Sequence, residues 1–561
     1  MEKRWYVFYL SLAMMTWACV FIWGVRGFDF TDNGFYLLTL RDYQNISIDS
    51  RWFGALVGYL YDFSGGALAP LRLSGISIML FSSLGTSYMV LRRTNALSPP
   101  YLFTALAGGT LYYSWWLTTP SYNWLVIVGF CWFLIGALIL TESSSQQRQF
   151  IGGLLLGCGI TAVAWGKLTS AAVMVSLSLS LWLVYRRRFP LMRTWLVGVL
   201  IGVGLVAGLG LLREPYLTAG LEKLQLASQH QFLLRADEGL FFTRFIRAPL
   251  VGLLRITVEV LVILSPALLI LIILLIWRFR VPSRRHTRIW HWGVNAVLLI
   301  GMALSLLQVH HFHDVGRWVL SLYALWLLIA LIEKTLSRRH TIMVGGLFML
   351  SLATSYGTNN IYIIHASLSA FFLLLAVVIL ISLRKQPLFL ALLGLSVLAV
   401  MIISARQPYR QAAPLWEMQT PVEIQHDGSG DIVLLDEATA AYLQTLQEAA
   451  RANGFASRTP IIDLSGRSPG VIYALDGTSY GFMWLLGGYT GSLEATRFVL
   501  EHWPANTLQA AWVITSNGDR SIPSSILADV GLSFPQGYTP IIEVTSPIFN
   551  EQHTLWRRDR E

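Results

Sequence analysis

Apolar residues in this chain are gathered into long runs up to position 404, and short alternations are rare there. The runs occupy 6–25, 71–91, 101–117, 123–140, 150–166, 168–185, 194–212, 249–277, 290–309, 317–332, 341–355, 361–383 and 387–404. Runs of this length predict a polytopic α-helical membrane protein with about 13 transmembrane helices. The pair flanking Lys167 is short, and one broken helix is the alternative there. Beyond 404 the pattern changes. Pro408, Pro414 and Pro421 mark a linker, and short β-branched runs follow at 432–436, 460–464, 511–515 and 540–544. Helical periodicity fills 437–453, 492–502 and 524–530. This alternation predicts a C-terminal α/β domain over 405–561 with a largely parallel sheet.

Charge orients the helices. Lys3-Arg4, Arg92-Arg93, Arg148, Arg186-Arg187-Arg188 with Arg193, Arg278 through Arg288, Lys334, Arg338-Arg339 and Arg384-Lys385 all fall in alternate loops. By the positive-inside rule those loops face the cytoplasm. The first outer loop (26–70), the loop 213–248 and the C-terminal domain then share the opposite, extracytoplasmic side. The N-terminal apolar run is too long for a signal peptide and reads as an uncleaved first helix.

A composition 55% hydrophobic, with mean hydropathy +0.56, excludes a soluble protein. The net charge of +10 divides into −7 for 404–561 and +17 for the remainder. The basic excess is spread over short loops and forms no single face, which argues against nucleic acid and for anionic lipid as its partner. Cys19, Cys131 and Cys158 lie inside apolar runs and form no disulfide frame. The glycine-rich stretch 486–492 lacks the strand, GxGxxG and helix order of a nucleotide site, so a cap over the membrane site or a docking surface is the expectation.

The unusual polar residues collect on the outer side. In the first loop, Asp29 and Asp32 lie just beyond a span and beside Gly34. A carboxylate there suits a general base that takes a proton from an acceptor hydroxyl during sugar transfer. The alternative is that Asp29 or Asp32 caps a helix starting near Gly34. Lys167 stands alone between two apolar stretches, where a charge is costly unless used or able to snorkel to the surface. His310, His311, His313, Asp314 and Arg317 cluster in one loop and leave a metal site open as one reading. Tyr122-Asn123 and Asn359-Asn360 end outer loops with groups suited to sugar hydroxyls, turns or helix caps. Arg41 lies in an interfacial segment, 41–61, within reach of a phosphate or flat on the bilayer. The mixed-charge loop 213–248 is long enough for another interfacial helix.

Asp32-Asn33-Gly34-Phe35-Tyr36-Leu37 resembles the Asp-Glu-x-x-Tyr-type motif in the first outer loop of GT-C glycosyltransferases. That superfamily includes protein O-mannosyltransferases and aminoarabinose lipid A transferases. The helix count, acidic first loop and outer C-terminal domain are similar as well. The resemblance implies an inverting transfer of one sugar from a polyprenyl-phosphate donor to an envelope glycan, lipid or protein. Asp32 would be the base and Asp29 the reserve. Lys167, Arg317, His311 and Arg41 would meet the donor phosphate. Tyr36, Tyr122, Asn123, His310, Asn359 and Asn360 would contact sugar or acceptor. Asn33 stands where the motif's second acid would be, so no cofactor is expected and a divalent metal is the less favoured alternative. A bacterial inner-membrane protein with a cytoplasmic N-terminus and a periplasmic C-terminal domain follows. The competing classes are a transporter or flippase for a lipid-linked glycan, for which Glu259 is the nearest buried charge, and a noncatalytic scaffold of envelope glycan assembly.

Overall fold

The computed structural model describes residues 2–49, 52–142, 145–185, 192–213, 217–234, 248–280, 286–357, 362–424 and 431–559. Up to residue 406 the elements are helical: α1 (Glu2–Trp23), α2 (Asp32–Arg41), α3 (Phe53–Phe63), α4 (Leu68–Arg93), α5 (Pro99–Gly108), α6 (Tyr122–Glu142), α7 (Gln146–Gly166), α8 (Leu168–Tyr185) and α9 (Met192–Arg213). They continue with α10 (Leu217–Leu234), α11 (Ala248–Arg280), α12 (His286–Leu307), α13 (Asp314–Ile332), α14 (Arg338–Ser355), α15 (Tyr362–Leu368), α16 (Ala370–Arg384) and α17 (Pro387–Arg406). Among the described residues nine of these, α1, α4, α6, α7, α9, α11, α12, α13 and α17, contain stretches long and apolar enough to cross a membrane. The chain is an integral, multi-pass membrane protein. The thirteen expected spans fall on helix, and among the described residues nine meet both the length and the apolarity of a span. The run 101–117 is divided because α5 tightens at Gly108-Gly109 into a 3-10 segment, Gly109–Trp115, closed by Trp116 in a left-handed conformation (φ 60°).

Small residues let the spans approach. A Cβ on Gly136 of α6 would lie 2.6 Å from the Gly152 carbonyl of α7, and one on Gly159 of α7 would lie 2.6 Å from the Gly129 carbonyl of α6. Close packing of this kind replaces the hydrophobic drive that lipid removes. α7 and α8 are separate helices. Lys167 between them is extended (φ −160°, ψ 105°).

The C-terminal domain contains β1 (Thr420–Ile424), β2 (Asp431–Leu435), α18 (Glu437–Ala452), β3 (Ile461–Asp463), α19 (Pro469–Ala474), α20 (Ser492–Glu501), α21 (Ala505–Gln509), β4 (Trp512–Ser516), α22 (Ile526–Asp529), β5 (Tyr538–Ser546) and β6 (Glu551–Arg558). The expectation of a largely parallel sheet is corrected. β1 and β2 form their own antiparallel pair, and the main sheet runs β3-β4-β6-β5 with only β3 and β4 parallel. The cause is β6, which returns beside β5 as a hairpin and also pairs with β4. Its inward positions carry Glu551 and His553 as well as Leu555, so no apolar alternation announces it.

This domain is joined to the first outer loop by backbone. Gly27 N donates to the Leu434 carbonyl at 2.9 Å, and Ser47 N and Ile48 N donate to the Gly481 carbonyl at 3.0 Å. Gly34 of α2 and Gly470 of α19 meet face to face: a Cβ on Gly34 would run into the Gly470 backbone, and one on Gly470 would lie 2.6 Å from the Phe30 Cα. Gly470 N donates to the Phe30 carbonyl at 2.7 Å.

Candidate active site

The site begins where the chain leaves α1. Gly27 turns in the left-handed region (φ 75°), where a side chain would be strained. Arg72 of α4, wholly buried, holds this turn by donating to the Gly27 carbonyl at 3.0 Å and the Arg26 carbonyl at 3.3 Å. Two residues on, Asp29 is fully buried. Its carboxylate accepts from Thr31 N and Asn33 N, both at 3.1 Å, and from the Thr31 hydroxyl at 2.7 and 2.9 Å. Asp29 therefore satisfies the free N–H groups at the start of α2. The capping role considered for either aspartate falls to Asp29. Burial, reinforced by the charge of Asp32 and opposed by Arg410 and the Thr31 hydrogen bonds, pushes the Asp29 carboxyl up to about 6.

Asp32, at the start of α2, is different. Its side chain keeps 23% of its exposure. One oxygen accepts from the Tyr36 hydroxyl at 3.2 Å, and the other lies 3.4 Å from Arg410 Nη1. Arg410 also donates to the Thr31 hydroxyl at 2.5 Å, and its guanidinium lies over the Tyr409 ring at 4.6 Å. Tyr36 is buried, with its ring 5.9 Å from that of Tyr122 at the start of α6. Ser121, before Tyr122, caps α6 by accepting from Trp124 N at 3.1 Å, and Asn123 is half-buried beside it. Asp32, Tyr36 and Tyr122 are thus brought into one arrangement.

Arg410 belongs to the tether beyond α17. It takes a left-handed conformation (φ 50°). Its neighbours are pinned: Tyr409 N donates to the Trp115 carbonyl at 3.2 Å, and Gln411 Oε1 accepts from Phe28 N at 3.1 Å. Against the cost of burial, Tyr409, Asp32, Asp29 and Tyr489 raise the Arg410 value, so it stays a cation. Tyr489, which belongs to the glycine-rich stretch 486–492, is near enough to act on Arg410 electrostatically.

Next to this cluster the tether and the turn after α12 border an open groove of about 390 Å³ lined by Val309, His310, His311, Ile403, Arg406 and Gln407. It lies where α12 and α17 end. Arg406 and Arg410 are four residues apart, at most about 14 Å of chain. A wall of Trp115, Phe312 and Tyr409, with ring centroids 4.6–5.1 Å apart, stands between the groove-lining turn and the tether. His313, beside it, is held down to about 4 by burial, against Asp314 and helped by Arg317, His311 and Arg410, so its ring is neutral at pH 7. His313 Nδ1 has no hydrogen-bond partner among the described residues.

The other expected cations are engaged by the fold. Arg317 donates to Glu259 of α11 at 2.9 Å and to Asp314 at 2.8 Å, while Asp314 accepts from His310 N at 3.1 Å and His311 N at 3.0 Å. Glu259, which suggested a transport pathway, is thus paired. Lys167 Nζ donates to the Thr354 carbonyl at 2.7 Å. Thr169 and Ser170 bond the Tyr356 and Ala353 carbonyls at 2.7 and 2.8 Å, so all three side chains serve the C-terminal end of α14. Arg41, 1% exposed, pairs with Asp42 at 2.9 Å and Asp476 at 3.1 Å. Asn359 and Asn360 lie outside the described residues. No three His, Cys, Asp or Glu side chains converge to hold a metal among the described residues.

Sequence reasoning missed Arg410, Tyr409, Arg406 and Arg72. A signal for two of them was present: Arg406 and Arg410 follow the last span at the end opposite Arg384-Lys385, the end that the orientation expected from charge leaves poor in cations.

No family model matches the chain, and no curated protein sequence matches it. Among solved structures it is similar to two crystal structures of ArnT from Cupriavidus metallidurans. The one bound to undecaprenyl phosphate has TM-score 0.44 and 12% identity, and the apo form has TM-score 0.43 and 14% identity; in each the likeness covers 99% of this chain and 98% of that chain. A cryo-EM structure of the arabinofuranosyltransferase AftD from Mycobacteria is similar over 100% of this chain and 40% of that one, with TM-score 0.42 and 11% identity.

Proposed function

We propose that this protein is a membrane glycosyltransferase. It moves a single sugar from a polyprenyl-phosphate carrier to a hydroxyl of an envelope glycan, lipid or protein at the periplasmic face of a bacterial inner membrane. The observation that carries the reading is Asp32: a partly exposed carboxylate just beyond the first span, paired with Arg410 of the tether, whose preceding residues Arg406 and Gln407 line a groove together with His310 and His311. A soluble hydrolase has no need of such a groove at the bilayer edge, whereas a lipid phosphate does. Val309 and Ile403 offer apolar walls to the first isoprene units, and Arg406 with the two histidines offers charge and hydrogen bonds to the phosphate.

In the reaction the acceptor oxygen attacks the anomeric carbon and its proton passes to Asp32. The bond from that carbon to the phosphate oxygen breaks, and the electron pair leaves with the polyprenyl phosphate. Cations near the groove balance that charge where water is scarce. A single displacement of this kind inverts the anomeric centre. Tyr36, Tyr122 and Asn123 line the side from which the sugar and acceptor would be held. The scheme uses no cofactor.

The test is release of free polyprenyl phosphate from a panel of polyprenyl-phosphate sugars, with crude envelope as acceptor. The wild-type protein and Asp32→Asn are compared in a membrane mimetic. Release by the wild type with a loss of more than about a hundredfold in the variant is expected. Equal release by both removes Asp32 from the base role. No release from any donor by folded wild-type protein sinks the glycosyltransferase reading.

A further inference from the structure

The tether after α17 looks like a linker, yet three consecutive residues of it are fastened at the site. Tyr409 N is held by Trp115, Gln411 by Phe28, and between them Arg410 adopts a left-handed backbone at φ 50°. Non-glycine residues take that conformation at a cost, and where they do so the surroundings must over-determine it. Here the unusual backbone aims a guanidinium at Thr31 and Asp32, at 2.5 and 3.4 Å. A glycine would make the same turn with less strain. The arginine is therefore kept for its side chain.

We propose that Arg410 is the positioning residue for the base: it fixes one oxygen of Asp32 in place and sets a positive charge against it, while Tyr36 fixes the other oxygen. This rests on the glycosyltransferase reading given above. The need for such a cation is local. Asp29 and Asp32 lie at the same helix start, and two carboxylates this close resist joint ionisation. The phenols of Tyr36 and Tyr409 also face Asp32, and Tyr489 and the neutral ring of His313 lie near Arg410. None of these supplies a positive charge at neutral pH. Because Arg410 belongs to the tether, the base is completed only when that segment is seated.

The left-handed backbone provides a clean variant. Arg410→Gly suits the turn and removes the whole side chain with its guanidinium, and Arg410→Lys keeps a charge without the planar fork. Two measurements on the full-length protein apply. The first is carbodiimide labelling of Asp32 as a function of pH, read by mass spectrometry, which needs no activity. In Arg410→Gly the midpoint is expected to rise by about one pH unit or more, with Arg410→Lys close to the wild type. The second is the pH profile of polyprenyl-phosphate release. Its acid limb is expected to move up in Arg410→Gly by the same amount, with partial rescue by Arg410→Lys or by added guanidinium ion. An unmoved labelling midpoint in a folded Arg410→Gly protein overturns the proposal, as does a uniform loss of rate at every pH without rescue. A shifted labelling midpoint in a protein that releases no polyprenyl phosphate upholds the pairing and overturns the glycosyltransferase reading instead.

Discussion

Asp29 and Asp32 are the same residue three positions apart, and their surroundings give them opposite tasks. Asp29 has no exposed surface and spends its oxygens on the backbone of α2. Asp32 keeps an open side. The raised Asp29 value has a stability consequence with a definite sign. The fold favours its protonated form, so that contribution is full below the ordinary carboxylate value near 3.8 and is lost as pH rises through about 6. The loss is on the order of 2–3 kcal/mol at most. Asp29→Asn should therefore flatten the fall in melting temperature between pH 4 and pH 7 (about one such step) while retaining an acceptor for the cap. A wild-type-like slope in the variant would show that Asp29 is not the titrating group. The roles of the two acids were only half legible in the sequence. Their position beside a span end pointed to chemistry, but which one capped and which one faced outward depended on partners far along the chain. Arg410 lies 378 residues from Asp32, and no local pattern connects them.

Among elements, the approach of α2 to α19 is the most demanding. Gly34 reads in the sequence as lying near a helix start. In the structure it is helical, and its missing side chain makes room for the Gly470 backbone. Gly34→Ala should therefore cost about 1–3 kcal/mol, as overpacking against backbone does. Gly345→Ala, on α14 with open space around it, should stay within about 0.5 kcal/mol of the wild type. Thermal unfolding of both in the same detergent decides between a packing cost and a general intolerance of the added methyl. The spans were legible because a bilayer demands length and apolarity, which a sequence displays directly. The 3-10 break at Gly109–Trp115 was not, because a run of apolar residues looks the same whether or not its helix tightens. β6 escaped for a different reason: its inward residues Glu551 and His553 find buried partners in Arg467 and Tyr442. A strand whose core face is polar gives no alternation to read.

At the scale of the whole molecule, the C-terminal domain is clamped to α2 by charge. Arg41 of α2, nearly unexposed, is held by Asp42 and by Asp476 of the C-terminal domain, and Arg458 joins Asp42 as well. Removing one charge from such a buried set leaves its partner uncompensated, at a cost of about 3–5 kcal/mol. Asp476→Asn keeps a residue tolerant of the left-handed backbone found there (φ 58°). Its expected effect is faster tryptic cleavage at Arg406 or Arg410 with unchanged helical content. Cleavage at the wild-type rate would mean that the backbone pairing at Gly27 and Gly481 suffices to hold the domain. The seating of Arg410 also sets an order in time. The chain emerges from its N-terminus, so Asp32 reaches the membrane surface long before the tether is made; at ordinary rates of synthesis the 378 intervening residues take about 20–75 s. During that interval the nascent protein carries an acidic loop without its guanidinium or its aromatic wall. Under the function proposed above, an unfinished or prematurely released chain then transfers nothing, and only a finished molecule is able to draw sugar from the carrier.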